Sequence, residues 1–61
     1  MKTYFVSGYD NSGHKVGDWF MADCGTEAME KFYSVYPNSY CVNVYVERGI
    51  ELVYLFSSGL F

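Results

Sequence analysis

The feature that most constrains this chain is a change of hydrophobic period on either side of Pro37. From Thr26 onward, Ala28, Met29, Phe32, Val35 and Tyr36 recur at spacings of three and four, which predicts an amphipathic helix. Beyond the proline, Tyr40 to Glu47 alternates with period two, with Val42, Val44 and Val46 on one side and Cys41, Asn43, Tyr45 and Glu47 on the other. A proline removes an amide donor and drives the residue before it out of helical angles, so Tyr36 ends the helix and a strand follows. At the other end, Asp23 or Thr26 is expected to cap the helix, Glu27 suits its positive end, and Glu27 has Lys31 one turn on as an ion-pair partner.

Two further strands precede the helix. Tyr4-Phe5-Val6 ends at Gly8, and a stretch dense in turn formers, Tyr9 to Lys15, leads into an extended segment from Val16 to Asp23. The short connection makes these two antiparallel. Arg48-Gly49 reverses the chain after the valine strand, and Glu51 to Phe56 forms a fourth strand before Ser57-Ser58-Gly59 loosens the chain. Gly8, Gly13 and Gly17 fit no phosphate-binding fingerprint and are assigned to hairpin geometry. The expected fold is a single α+β domain over residues 1–61: a small antiparallel β-β-α-β-β sheet with one helix packed on one face.

The 61 residues leave room for one core, and the 51% apolar and 21% aromatic composition is unlike that of disordered chains. The valine row must face the helix. Phe20 and Ala22 join it, because Ala22 leads straight into the helix, so Trp19 and Met21 point to the opposite face with Tyr45. Either Phe5 or Tyr4 joins them, according to the register of the first strand. The second face is thus too aromatic to meet only water, and an apolar patch of this kind marks a contact with a second copy or another protein. Alternatively, the Leu60-Phe61 end or the first loop with Tyr9 folds over it.

Catalysis has little support. His14 is the only histidine, it stands in the first loop, and no nucleophile is spaced to work with it. Cys24 and Cys41 signal neither a zinc site nor a disulfide framework and are expected as reduced, partly buried thiols. No cofactor or metal is implied. Four scattered cations against seven carboxylates, a formal charge of −3, argue against direct nucleic-acid binding. No apolar run suits a signal peptide or a membrane span, so the expected location is cytoplasmic.

Five of the seven carboxylates, Asp10, Asp18, Asp23, Glu27 and Glu30, fall between the first loop and the helix. With Trp19, Met21 and Tyr45 they form the candidate partner-binding set. The series Phe20-Met21-Ala22-Asp23, Thr26-Glu27-Ala28, Phe32 and Tyr36-Pro37, followed by a valine-rich strand, resembles the small β-β-α-β-β proteins of phages and mobile elements. The likeness covers residues 2 to 56, and proteins of this kind include anti-CRISPR inhibitors. It implies a non-catalytic inhibitor that acts in the host cytoplasm on a host protein or nucleoprotein complex and blocks its DNA-binding surface. Those inhibitors share a strategy and no motif, so no individual residue carries over. The alternative is a homodimeric structural or regulatory module that buries the aromatic face against a second copy.

Overall fold

A computed structural model describes residues 1–58. Strand β1 spans Lys2–Tyr9, β2 Lys15–Ala22, helix α1 Gly25–Val35, β3 Tyr40–Arg48 and β4 Glu51–Ser58. All pairings are antiparallel, and the sheet order is β2-β1-β3-β4. The architecture is therefore the expected α+β arrangement. β1, β3 and β4 run one or more residues beyond their sequence limits, whereas β2 starts one residue earlier than expected, at Lys15, and ends one earlier, at Ala22, leaving Asp23 outside the strand. Ser57 and Ser58, read as loosened chain, pair with Asn43 and Val42 in β4. Gly59 and the Leu60-Phe61 end lie outside the described residues.

The connection from β2 to β3 explains where the helix sits. These two strands flank β1 and are both antiparallel to it, so they are parallel to one another. A link between parallel strands must cross a sheet face, and α1 is that crossover. The helix consequently packs on β2, β1 and β3. Edge strand β4 reaches the helix at both ends: a methyl-sized group on Gly25 would fall 2.8 Å from Phe56 and 3.3 Å from Leu55, and the Tyr33 hydroxyl lies 3.2 Å from Ser58 Oγ. Gly25 lets the two approach.

Tyr4 and Val6 of β1, Ala22 of β2, Ala28 and Phe32 of α1, and Val42, Val44 and Val46 of β3 make up the core between helix and sheet. Phe32 is fully buried, with Phe20, Tyr33 and Tyr36 around it at ring-centroid distances of 6.3, 5.9 and 5.0 Å. Edge-to-face and tilted contacts of this sort add to the area buried. The valine row faces the helix as its alternation requires.

Three local expectations need correction. Val35 is exposed, because the helix presents Gly25, Ala28 and Phe32 inward and Val35 falls on the margin of that stripe in the last turn. The N-cap residue is Cys24, which makes no side-chain cap bond; neither Asp23 nor Thr26 occupies that position. Glu27 and Lys31 each engage backbone. Asp23 N–H donates to Glu27 Oε1 at 2.7 Å, and Lys31 Nζ donates to the Met21 carbonyl at 2.7 Å. Tyr36 does end the helix, leaving helical angles (φ −125°, ψ 72°) while its amide still donates to the Phe32 carbonyl.

Candidate protein-binding surface

The register decides which rings share the uncovered face. Phe5 pairs directly with Trp19 of β2 on one side and Tyr45 of β3 on the other, and Tyr45 pairs with Tyr54 of β4. Directly opposed residues point to the same side of an antiparallel sheet. Phe5, not Tyr4, therefore belongs to the open face. The result is a ladder of four rings, Trp19, Phe5, Tyr45 and Tyr54, one from each strand. Successive centroids lie 5.0, 6.3 and 5.7 Å apart.

The inner two rings are half-buried by their neighbours, whereas Trp19 and Tyr54 remain 51% and 53% exposed. Beside the ladder toward the β1–β2 loop, Gly17 opposes Ser7, and a methyl-sized group there would meet the Phe5 ring at 2.9 Å. Gly17 is thus a seat for that ring, and not the hairpin residue expected. On β3 and β4, Ser57 Oγ donates to Asn43 Oδ1 at 2.6 Å, which leaves the Tyr54 hydroxyl to donate to Ser57 Oγ. That chain orients Tyr54. On the other flank stand Met21 and Leu52, both exposed.

Tyr9, the loop-side residue considered as a cover, stacks instead on Tyr40 at 5.9 Å. The candidate residues fall into three groups. Trp19, Met21 and Tyr45 are on the open face. Asp18, opposite Val6 on β2, takes the helix side of the edge strand, and Asp23, Glu27 and Glu30 surround the first turns of α1. Asp10 stands apart in the β1–β2 loop, alongside the Val35-to-Ser39 corner at the opposite end of the helix.

The Asp10 carboxylate serves its own loop. Oδ1 accepts from the Ser12 and His14 amides at 2.9 and 3.0 Å, while the Asp10 amide and carbonyl bond His14 and Gly13. These donors hold its pKa below the usual carboxylate value, the His14 amide contributing most. Gly13 supplies the left-handed turn residue, with φ 84°. Asp10 also borders a depression of about 180 Å³ lined by Asn11, Val35, Tyr36, Pro37, Asn38 and Ser39. That is smaller than the roughly 300 Å³ at which small-molecule sites begin.

Cys24 and Cys41 are free and exposed, contrary to the expected partial burial. Cys24 sits outside the first helical turn, and Cys41 is turned out where the β1–β3 register shifts, with φ 52°. Among the described residues no three His, Cys, Asp or Glu side chains converge as a metal site, and no helix is long and apolar enough to cross a membrane. Comparison with protein-family models, curated proteins and solved structures returned no match.

Sequence reasoning found Trp19, Met21 and Tyr45 but missed Tyr54 and Leu52. Both lie in the run Leu52-Val53-Tyr54-Leu55-Phe56, whose unbroken apolarity hides any alternation.

Proposed function

We propose that this chain is a non-catalytic binding domain that docks on a partner protein through the β2 end of its open sheet face. In the specific form that the sequence resemblance suggests, it is a phage- or mobile-element-encoded inhibitor of the anti-CRISPR type. It then occupies the DNA-binding surface of a host defence complex.

The observation that carries the reading is the ring ladder, an aromatic surface across all four strands with Trp19 and Met21 standing free at one end. Large, rigid, half-exposed rings make favourable anchors because they offer contact area at little cost in side-chain entropy. Next to that end lie Asp18, Asp23, Glu27 and Glu30 on β2 and the first turns of the helix. Carboxylates at the rim of an apolar centre speed encounter with a basic groove, while the centre sets residence time.

The test is a pair of rate measurements against a CRISPR surveillance complex at two salt concentrations, with and without target DNA. Asp18→Lys with Glu30→Lys is expected to slow association and weaken its salt dependence. Trp19→Ala is expected to speed dissociation. Undiminished DNA binding by the complex at saturating protein eliminates the groove-blocking mechanism. Loss of affinity in Trp19→Ala alone, with the charge reversals silent, points to a plain apolar contact.

A further inference from the structure

An edge strand offers a row of unpaired N–H and C=O groups, and the two edges of this sheet interrupt that row by different means. On β4 the backbone does so: Leu55 is the extra residue where the β3–β4 register shifts, and the strand touches the helix at Gly25 and Tyr33. An irregularity of this kind blunts an edge by itself. β2 has no such protection. Its register with β1 runs without a break from Lys2 opposite Ala22 to Tyr9 opposite Lys15.

Side chains close β2 instead. Asp18 Oδ1 accepts from the Trp19 amide at 2.8 Å, and Lys31 Nζ donates to the Met21 carbonyl at 2.7 Å. Residues two apart present their backbone groups to the same side of a strand, and with β1 on the inner side these two bonds lie on the outer one. One residue past the strand, the Asp23 amide donates to Glu27 Oε1 at 2.7 Å. Trp19, Met21 and Asp23 thus each have one backbone group tied to a side chain. Two of the three ties come from α1, where Glu27 and Lys31 stand one turn apart.

We propose that Lys31 and Asp18 form an autoinhibitory latch that keeps the β2 edge from accepting another strand. A strand added beside Trp19 and Met21 needs the amide that Asp18 holds and the carbonyl that Lys31 holds. Both ties involve a charged group, and a charge-assisted bond is stronger than the neutral amide bond that would take its place. Displacement would also leave the ammonium and the carboxylate beside the new seam. Lys31 is the principal part, because it reaches from the helix to the outer side of the strand and so joins two elements, whereas Asp18 bonds its own neighbour.

The latch lies where an open edge would be most hazardous. Trp19 and Met21 are more than half exposed, and an apolar edge with free backbone groups is where strand-by-strand association starts. These two residues also belong to the proposed partner-binding end, but the latch is independent of what that end binds, and its test needs no partner.

The test compares the full chain with a Lys31→Met, Asp18→Ala double variant, which loses one cation and one carboxylate and so keeps the formal charge at −3. Sedimentation equilibrium and amide hydrogen exchange are followed from low to high micromolar concentration. In the unmodified chain, β2 exchange is expected to be indifferent to concentration, and the Trp19 amide, corrected for intrinsic rates, to exchange more slowly than the outward amides of Gly17 and Met21. In the double variant, mass is expected to rise with concentration while the Gly17 and Met21 amides gain about tenfold protection or more. Lys31→Arg, which keeps a charged donor, is expected to behave as the unmodified chain. A double variant that keeps the unmodified chain's mass and exchange at every concentration overturns the proposal. So does association without protection at Gly17 and Met21, which means contact through the ring ladder or β4. Should the double variant fail to fold by circular dichroism, the unmodified chain decides: equal corrected rates at Trp19, Gly17 and Met21, or β2 protection that rises with concentration, mean that the edge is not latched.

Discussion

The covered and open faces of the sheet are both apolar, yet they differ in kind. The helix side is built mainly from branched aliphatic residues, Val6, Val42, Val44 and Val46, with Tyr4 beside them, closed over by Phe32 and almost without exposed surface. The open side is built from rings that touch one another across the strands and still present Trp19 and Tyr54 to their surroundings. Small stiff side chains fill a close-packed layer, whereas rings laid side by side support each other without a covering element. The first face supplies stability, and the second offers surface for contact.

Neighbouring residues of β3 give the sharpest way to break that distinction. Val44→Asp places an unpaired carboxylate in the core, at a cost of more than about 4 kcal/mol, comparable with the whole stability of so small a domain. It is expected to abolish the thermal transition in circular dichroism. An unmoved transition would mean that the facing of β3 is wrong. Tyr45→Asp, one position on, removes two ring contacts from the open face and is expected to cost roughly 1–3 kcal/mol, lowering the midpoint but leaving a cooperative transition. If it unfolds the chain as fully as Val44→Asp, the open face is core and no binding surface.

The helix N-terminus ranks next. Glu27→Ala removes the acceptor for the Asp23 amide and a charge favourable to the first turn, a loss of about 0.5–1 kcal/mol readable in urea denaturation. The smallest effect belongs to the Asp10 loop. Its carboxyl titrates below the ordinary 3.8 when folded, so its contribution to stability is present above that value and declines as pH falls through the depressed folded value. Asp10→Asn keeps an acceptor for the loop amides and is expected to flatten that acid limb slightly. An identical acid limb in the variant would show that the loop bonds do not discriminate between the charged and neutral forms.

How far the chain could be read in advance depended on local pattern. Val42, Val44 and Val46 alternate with polar or larger partners and announce their facing, and Ala22 orients Trp19 and Met21 through its link to the helix. β1 was ambiguous because Tyr4, Phe5 and Val6 are all apolar; only pairing with Trp19 and Tyr45 separates them. The sheet order and the extra residue at Leu55 arise from contacts between distant segments, which a local period cannot encode. Lys31 was paired with Glu27 by spacing alone, but the open carbonyl of Met21 lay within its reach and a backbone acceptor won. Gly17 reads as a turn residue in sequence, and its use as the seat of the Phe5 ring follows from cross-strand pairing.

The central place of the β1–β3 ladder also governs time. Each outer pairing joins consecutive strands through a short turn, but β1 and β3 meet only after β2 and α1 have been accommodated between them. Closing that long stretch of chain must precede the contacts that reward it, so this step sets the folding rate while the two hairpins form early. Residues that face each other there, such as Val6 and Val44, should govern how fast the domain folds, and the β3–β4 turn at Gly49 should govern it much less. Until the ladder closes, one chain's second hairpin is free to complete another chain's first, so crowded synthesis favours exchanged pairs in a molecule whose finished form has none of that freedom.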